Sequence, residues 1–181
     1  MGTLKTTNIQ TITGSGTLTL GTSGETLTVP SGVTVGGGMS NTPTWLAITS
    51  GNQTVSDAVA TKVNFASADI DTHNAMDLTN NKYVVPETGK YVIYYGAGLN
   101  AINGNNTSFF DWYFYLNGSN TVRSFYRTNT LDMSDVRIYD STIISLSAND
   151  ELELYCRMNN SSDTNKTISG GRFGGHKIIG A

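Results

Sequence analysis

Phe109-Phe110-Asp111-Trp112-Tyr113-Phe114-Tyr115-Leu116-Asn117-Gly118 is the stretch that decides how this chain folds. Phe110, Trp112, Phe114 and Leu116 occupy every second position, the period of a β-strand, in which successive side chains point to opposite faces. Asn-Gly directly behind them signals a hairpin, because both residues tolerate the positive φ that a two-residue turn between strands requires. The other face of the same strand carries Phe109, Tyr113 and Tyr115. In a sandwich one sheet face meets the core and the other is mainly polar, so a strand aromatic on both faces predicts a second cover. Phe109, Tyr113 and Tyr115 are therefore candidates for contact with another copy of the chain, with loops of the same chain as the alternative cover. Lys90-Tyr91-Val92-Ile93-Tyr94-Tyr95 reads the same way, and adds Val92 and Tyr94 to the interface candidates. His176, between Gly175 and Lys177, is expected to be a packed or interface imidazole whose protonation would make assembly acid-sensitive.

Outward from that strand the pattern repeats. Candidate strands are Trp45–Thr49, Gln53–Val55, Lys62–Phe65, Lys82–Val85, Lys90–Leu99, Phe109–Leu116, Thr121–Tyr126, Val136–Leu146, Leu152–Met158 and Arg172–Ile179. Thr, Asn, Ser and Gly make up 81 of the 181 residues. Thr suits a pleated surface, while Asn, Ser and Gly supply tight turns. No window holds apolar residues at helical spacing over three turns. Ten short strands with no helix between them predict an all-β, antiparallel sandwich or jelly roll.

The first 38 residues contain no aromatic residue and only two charged ones, Lys5 and Glu25. Short alternating units recur there: Leu18 and Leu20, Leu27 and Val29, Val33 and Val35, each pair on one face with Thr opposite. So little apolar surface does not stabilise an isolated hairpin, so these six residues are candidates for attachment to something else, with a low-complexity linker as the alternative. Gly36-Gly37-Gly38 supplies a hinge. The expected organisation is an extended, β-rich arm over residues 1–42 and a head over residues 43–181.

Several functions fit poorly. The net charge of −3 comes from scattered acids and bases, with no basic stripe to hold a phosphate backbone, so no nucleic-acid partner is expected. No run of about 18 apolar residues occurs, so no membrane insertion is expected. The N-terminus has no export-signal pattern, and synthesis in the cytoplasm is expected. The single Cys156 falls in the alternation Leu152, Leu154, Cys156 and reads as a buried core thiol. His73 and His176 are the only histidines, and no nucleophile, phosphate-binding or zinc-type spacing is present. The polar segment Asp69-Ile-Asp71-Thr-His73 reads as a surface loop rather than a cation site, since the terminal Glu of a calcium loop is missing. No catalytic residue, cofactor or metal is assigned.

Lys62-Val-Asn-Phe65, Tyr83-Val-Val-Pro86-Glu-Thr-Gly89-Lys-Tyr91-Val-Ile93, Leu116-Asn-Gly118 and Gly170-Gly-Arg-Phe173-Gly-Gly175 together resemble the complement-one-q and tumour-necrosis-factor jelly-roll superfamily. In such domains an apolar strand leads through a Pro-x-x-Gly turn into a Tyr-rich strand. Here Pro86 would end one strand, Gly89 permit the turn, and Tyr91 and Ile93 resume the core alternation. The resemblance implies a ten-strand sandwich forming a homotrimer, usually the head on a stalk. The collagen-like stalk of the animal members is absent. The arm instead resembles the N-terminal regions of fibre and decoration proteins of tailed bacteriophages, marine ones in particular.

These readings lead to one expectation: a non-enzymatic virion protein, a homotrimeric tail fibre or capsid decoration on the capsid or tail surface. Its partners would be other copies of itself and, through the arm, other virion proteins, with a host-surface glycan as a candidate ligand for adhesion by the head. The alternative is a soluble lectin-like or ligand-binding trimer with the arm as a spacer.

Overall fold

The computed structural model describes residues 42–101, 107–131, 136–160 and 166–178. The arm candidates Leu18, Leu20, Leu27, Val29, Val33 and Val35 lie outside the described residues.

Twelve strands follow one another: β1 (Thr44–Thr49), β2 (Gln53–Val55), β3 (Thr61–Lys62), β4 (Phe65–Asp71), β5 (Met76–Asp77), β6 (Lys82–Val84), β7 (Gly89–Ala101), β8 (Thr107–Leu116), β9 (Ser119–Leu131), β10 (Val136–Leu146), β11 (Glu151–Asn160) and β12 (Lys166–Lys177). They form two antiparallel sheets. Sheet A runs β10-β7-β12-β1-β4 with β2 beside β12, and sheet B runs β5-β6-β11-β8-β9 with β3 beside β11. From β6 to β12 every connection crosses from one sheet to the other except the β8–β9 hairpin, the winding of a jelly roll.

The expected strand at 62–65 is two strands, β3 and β4, separated at Val63 and Asn64. The segment Asp69-Ile-Asp71, expected in a loop, belongs to β4. It is held there by pairing with β1, at Leu46↔Ile70 and Trp45↔Asp71. The carboxylate of Asp71 then accepts the backbone N–H groups of Ala75 and Met76, at 2.9 and 2.8 Å, which fixes the turn that follows. With β5 also recognised, the described residues hold twelve strands where ten were expected. The hairpin at Asn117-Gly118 is present with φ of 51° and 76°, both positive as a type I′ turn demands. Gly89 takes no left-handed conformation. It starts β7 as a strand residue, and a Cβ there would approach the Lys177 side chain, 2.7 Å from Cε.

Aromatic side chains bridge the two sheets. Trp45 of β1 stacks on Tyr83 of β6 with centroids 3.7 Å apart. Tyr95 of β7 meets Phe114 of β8 edge-on at 4.2 Å. Phe173 of β12 touches Phe65, Trp45 and Phe114. Phe110, Trp112 and Phe114 are all buried, as their alternation predicts, and each such burial is worth about 2–3 kcal/mol. Cys156 is fully buried, and desolvation pushes its thiol up to about 12.

Candidate self-association face

Residues paired directly across an antiparallel sheet share a face, so the pairing registers of sheet A define its outer surface row by row. One row reads Ser141, Tyr94, Gly174, Leu46, Ile70 from β10 to β4. The row on one side reads Ile143, Val92, His176, Thr44, and on the other Tyr139, Gly96, Arg172, Ile48. The inner face takes the intervening residues, including Trp45, Ile93, Tyr95 and Phe173, into the core.

The outer surface is unusually apolar for a sheet face. Ile143 is 64% exposed, Tyr139 52% and Ile70 43%, three of the five exposed large hydrophobic side chains among the described residues. Between them Val92, Tyr94, Leu46 and Ile48 are half-buried. Tyr94 crosses β12 above Gly174, and its hydroxyl reaches the Trp45 carbonyl at 3.4 Å. Burial raises the Tyr94 phenol above its ordinary value. Beside it opens a cleft of about 340 Å³ lined by Leu46, Tyr94, Tyr95, Tyr139, Asp140 and Arg172.

The interface candidates Val92, Tyr94 and His176 are thus brought together on this one surface, Val92 directly between Ile143 and His176. Phe109, Tyr113 and Tyr115 lie on the outer surface of the opposite sheet. There the chain supplies much of its own cover. Arg157 of β11 reaches over the Phe109 ring at 4.6 Å and the Tyr113 ring at 5.6 Å. Its guanidinium donates to Oδ2 of the fully buried Asp111 at 2.7 and 3.1 Å, and the Tyr113 hydroxyl donates to the same oxygen at 2.6 Å. Tyr113 is left 5% exposed. Tyr115 packs against Tyr155 with the rings tilted by 34° and centroids 4.2 Å apart. The apolar residues that sequence reading missed are Ile143, Tyr139, Ile70 and Leu46. Leu46 stood in one candidate strand and Tyr139 and Ile143 in another, while Ile70 fell in an expected loop, and nothing in the sequence showed which face of β10 was outside.

The second cluster of titratable groups sits at the start of β1. His73 Nε2 is 3.7 Å from Glu87 Oε1, and Lys177 Nζ donates to Glu87 Oε2 at 2.7 Å. That hydrogen bond holds the Glu87 carboxyl below its ordinary value. Among the described residues no group of three His, Cys, Asp or Glu side chains is arranged to hold a metal ion.

No protein-family model and no curated protein matches the chain. Among solved structures it is similar to the globular domain of a zebrafish complement 1qA protein, with a TM-score of 0.54 at 9% sequence identity, over 75% of this chain and 97% of that one. It is likewise similar to murine APRIL in a crystal structure at pH 5.0, with a TM-score of 0.55 at 14% identity, over 75% of this chain and 98% of that one. Two six-stranded antiparallel sheets, their winding and these two likenesses agree: the described residues have a jelly-roll fold like that of the complement-one-q and tumour-necrosis-factor-like proteins.

Proposed function

We propose that this chain is a non-enzymatic structural protein that works as a homotrimer, the fibre or capsid decoration of a tailed-bacteriophage virion. Its arm, residues 1–42, docks on the particle, and its head is offered to the host surface. The observation that carries self-association is the outer face of sheet A, where Ile143, Tyr139 and Ile70 stand exposed around half-buried Val92, Tyr94 and Leu46. A contiguous apolar surface of this kind marks a protein contact rather than a free solvent face. The number three rests on the family resemblance of the head, and the virion on the resemblance of the arm.

Native mass of the full-length protein by size-exclusion chromatography with light scattering tests assembly. The expected result is three chains; a monomer at all concentrations overturns the trimer. Antibody labelling of the head on purified virions tests location, and particles without label overturn the virion assignment.

A ligand-binding role, with the arm as a spacer, is favoured by one feature of sheet B. The Tyr115–Tyr155 pair is flanked by Glu153, which accepts from Lys62 and from the Tyr155 hydroxyl, so rings stand beside hydrogen-bonding groups as sugar recognition requires. Binding on a glycan array that is lost in Tyr115→Ala would support it, and an array without signal would remove it.

A further inference from the structure

The β8–β9 hairpin turns on Asn117-Gly118, one of two Asn-Gly pairs in the chain. Positive φ at both positions is what the turn demands of these residues. The same dipeptide carries a chemical liability. Attack of the Gly118 backbone nitrogen on Cγ of Asn117 closes a five-membered ring, and glycine puts no side chain in the way. A Cβ built on Gly118 meets nothing within 4 Å, so the turn is open to solvent on that side.

Asn117 is nonetheless tied down, and every tie runs to the turn between β10 and β11. Its backbone N–H donates to the Glu151 carbonyl at 2.9 Å. Its Oδ1 accepts the Glu151 N–H at 2.8 Å, and its Nδ2 donates to Oδ1 of Asp150 at 2.8 Å. The second oxygen of Asp150 accepts the Ser147 N–H at 2.7 Å, so the carboxylate is itself held by its own turn. Both ends of the Asn117 amide are engaged with β11, and Cγ reaches the Gly118 nitrogen only when those bonds open.

We propose that Asn117 is a latent deamidation site, and that Asp150 and Glu151 form the latch that keeps its amide unreacted. With the latch open, the Gly118 nitrogen gives its proton to solvent base and bonds to Cγ. The Cγ–Nδ2 bond breaks, and Nδ2 leaves as ammonia with a proton taken from water. Water then opens the succinimide at one of its two carbonyls and leaves aspartate or isoaspartate at position 117. Water is the only co-reactant.

Either product puts a carboxylate where an amide donated. It faces the Asp150 carboxylate across the former 2.8 Å hydrogen bond, and like charges at that separation repel. Isoaspartate also adds a backbone atom to a turn whose geometry is set by two residues. Relatching is therefore blocked: the hairpin is released from the β10–β11 turn for good, and the chain becomes one unit more negative than its −3.

The test holds the full-length protein at pH 8, native and in guanidinium chloride, and follows by peptide mass spectrometry the gain of about 1 Da that replaces an amide by a carboxylate. Fragment ions place the gain at residue 117, apart from the pair at Asn103-Gly104. Asn117 is expected to react about tenfold more slowly in the native protein than in the unfolded chain, and Asp150→Ala to speed the native reaction about tenfold, the factor carried by one hydrogen bond to a charged acceptor. Equal rates in the native and the unfolded chain overturn the proposal. An Asp150→Ala protein that is folded by circular dichroism and reacts no faster than the wild type overturns it too. Asn117→Asp, which installs one product directly, is expected to fold with a lower urea midpoint, and an unchanged midpoint overturns the block on relatching.

Discussion

Tyr94 lies over Gly174, so close that a methyl group built on Gly174 would come within 2.5 Å of Tyr94 Cε2 and 2.7 Å of the Trp45 carbonyl oxygen. The ring could turn away, but the backbone oxygen of β1 cannot. Gly174→Ala is therefore expected to separate β1 from β12 and cost about 1–3 kcal/mol, the usual range for overpacking. Thermal unfolding should show a midpoint lower by about 2–4 °C for each kcal/mol. An unchanged midpoint would mean that Tyr94 and β1 accommodate the methyl.

Gly118 offers the contrast, since a Cβ there meets nothing within 4 Å. Its φ of 76° alone makes it special. Gly118→Ala should cost about 1–2 kcal/mol through backbone conformation, the penalty of placing an L-residue in the left-handed region. Equilibrium unfolding in urea would show a lower midpoint with an unchanged slope.

Asp111 is buried and joined to Arg157 and Tyr113. Removing one member of a buried ion pair costs about 3–5 kcal/mol. Arg157 is 28% exposed and can turn to water, so Asp111→Ala is expected at the lower end, about 3 kcal/mol. Tyr113→Phe, which removes one hydroxyl, should cost about 1 kcal/mol. Urea midpoints for the two variants check both the size and the order.

Alkali should weaken the fold through buried groups that hold their protons, Cys156 and Tyr91 among them. Burial raises Cys156 from 9.0 to about 12 and Tyr91 from 10.0 to about 12. A raised pKa means the folded state keeps a proton that the unfolded chain gives up, so this stability is complete below the unfolded values and is lost as pH rises toward the folded ones. Urea unfolding at pH 8, 10 and 11 should give falling midpoints, with a shallower fall in Cys156→Ala. In the native protein at pH 8, the thiol should resist a disulfide reagent until the chain is unfolded.

Strict alternation made the centre of the fold legible. β8 was read from Phe110, Trp112, Phe114 and Leu116, and the hairpin from Asn117-Gly118, because both signals are local. β4 escaped because the alternation in Ala66-Ser67-Ala68-Asp69-Ile70-Asp71 rests on two alanines and a single large apolar residue, set among acidic side chains that read as a loop. Bulges against β1 break its period, and its place comes from pairing with a strand some twenty residues away. The candidate face was half legible. Val92, Tyr94 and His176 were named from their own strands, but their neighbours Ile143 and Ile70 join them only through registers set over long separations. Tyr113 and Tyr115 owe part of their cover to Arg157 and Tyr155, which arrive from β11, about forty residues on, beyond the reach of a reading of β8 alone.

Trp45 and Trp112, the only two tryptophans, are 0% and 1% exposed. Both indoles belong to the layer between the sheets, and neither stands on the outer surface of sheet A. Their fluorescence is consequently blind to contacts made on that surface and responds when the sandwich opens to water. The chain carries its own optical gauge: light scattering follows the number of copies, tryptophan emission follows the integrity of each copy, and a variant that moves the first without the second has separated assembly from folding.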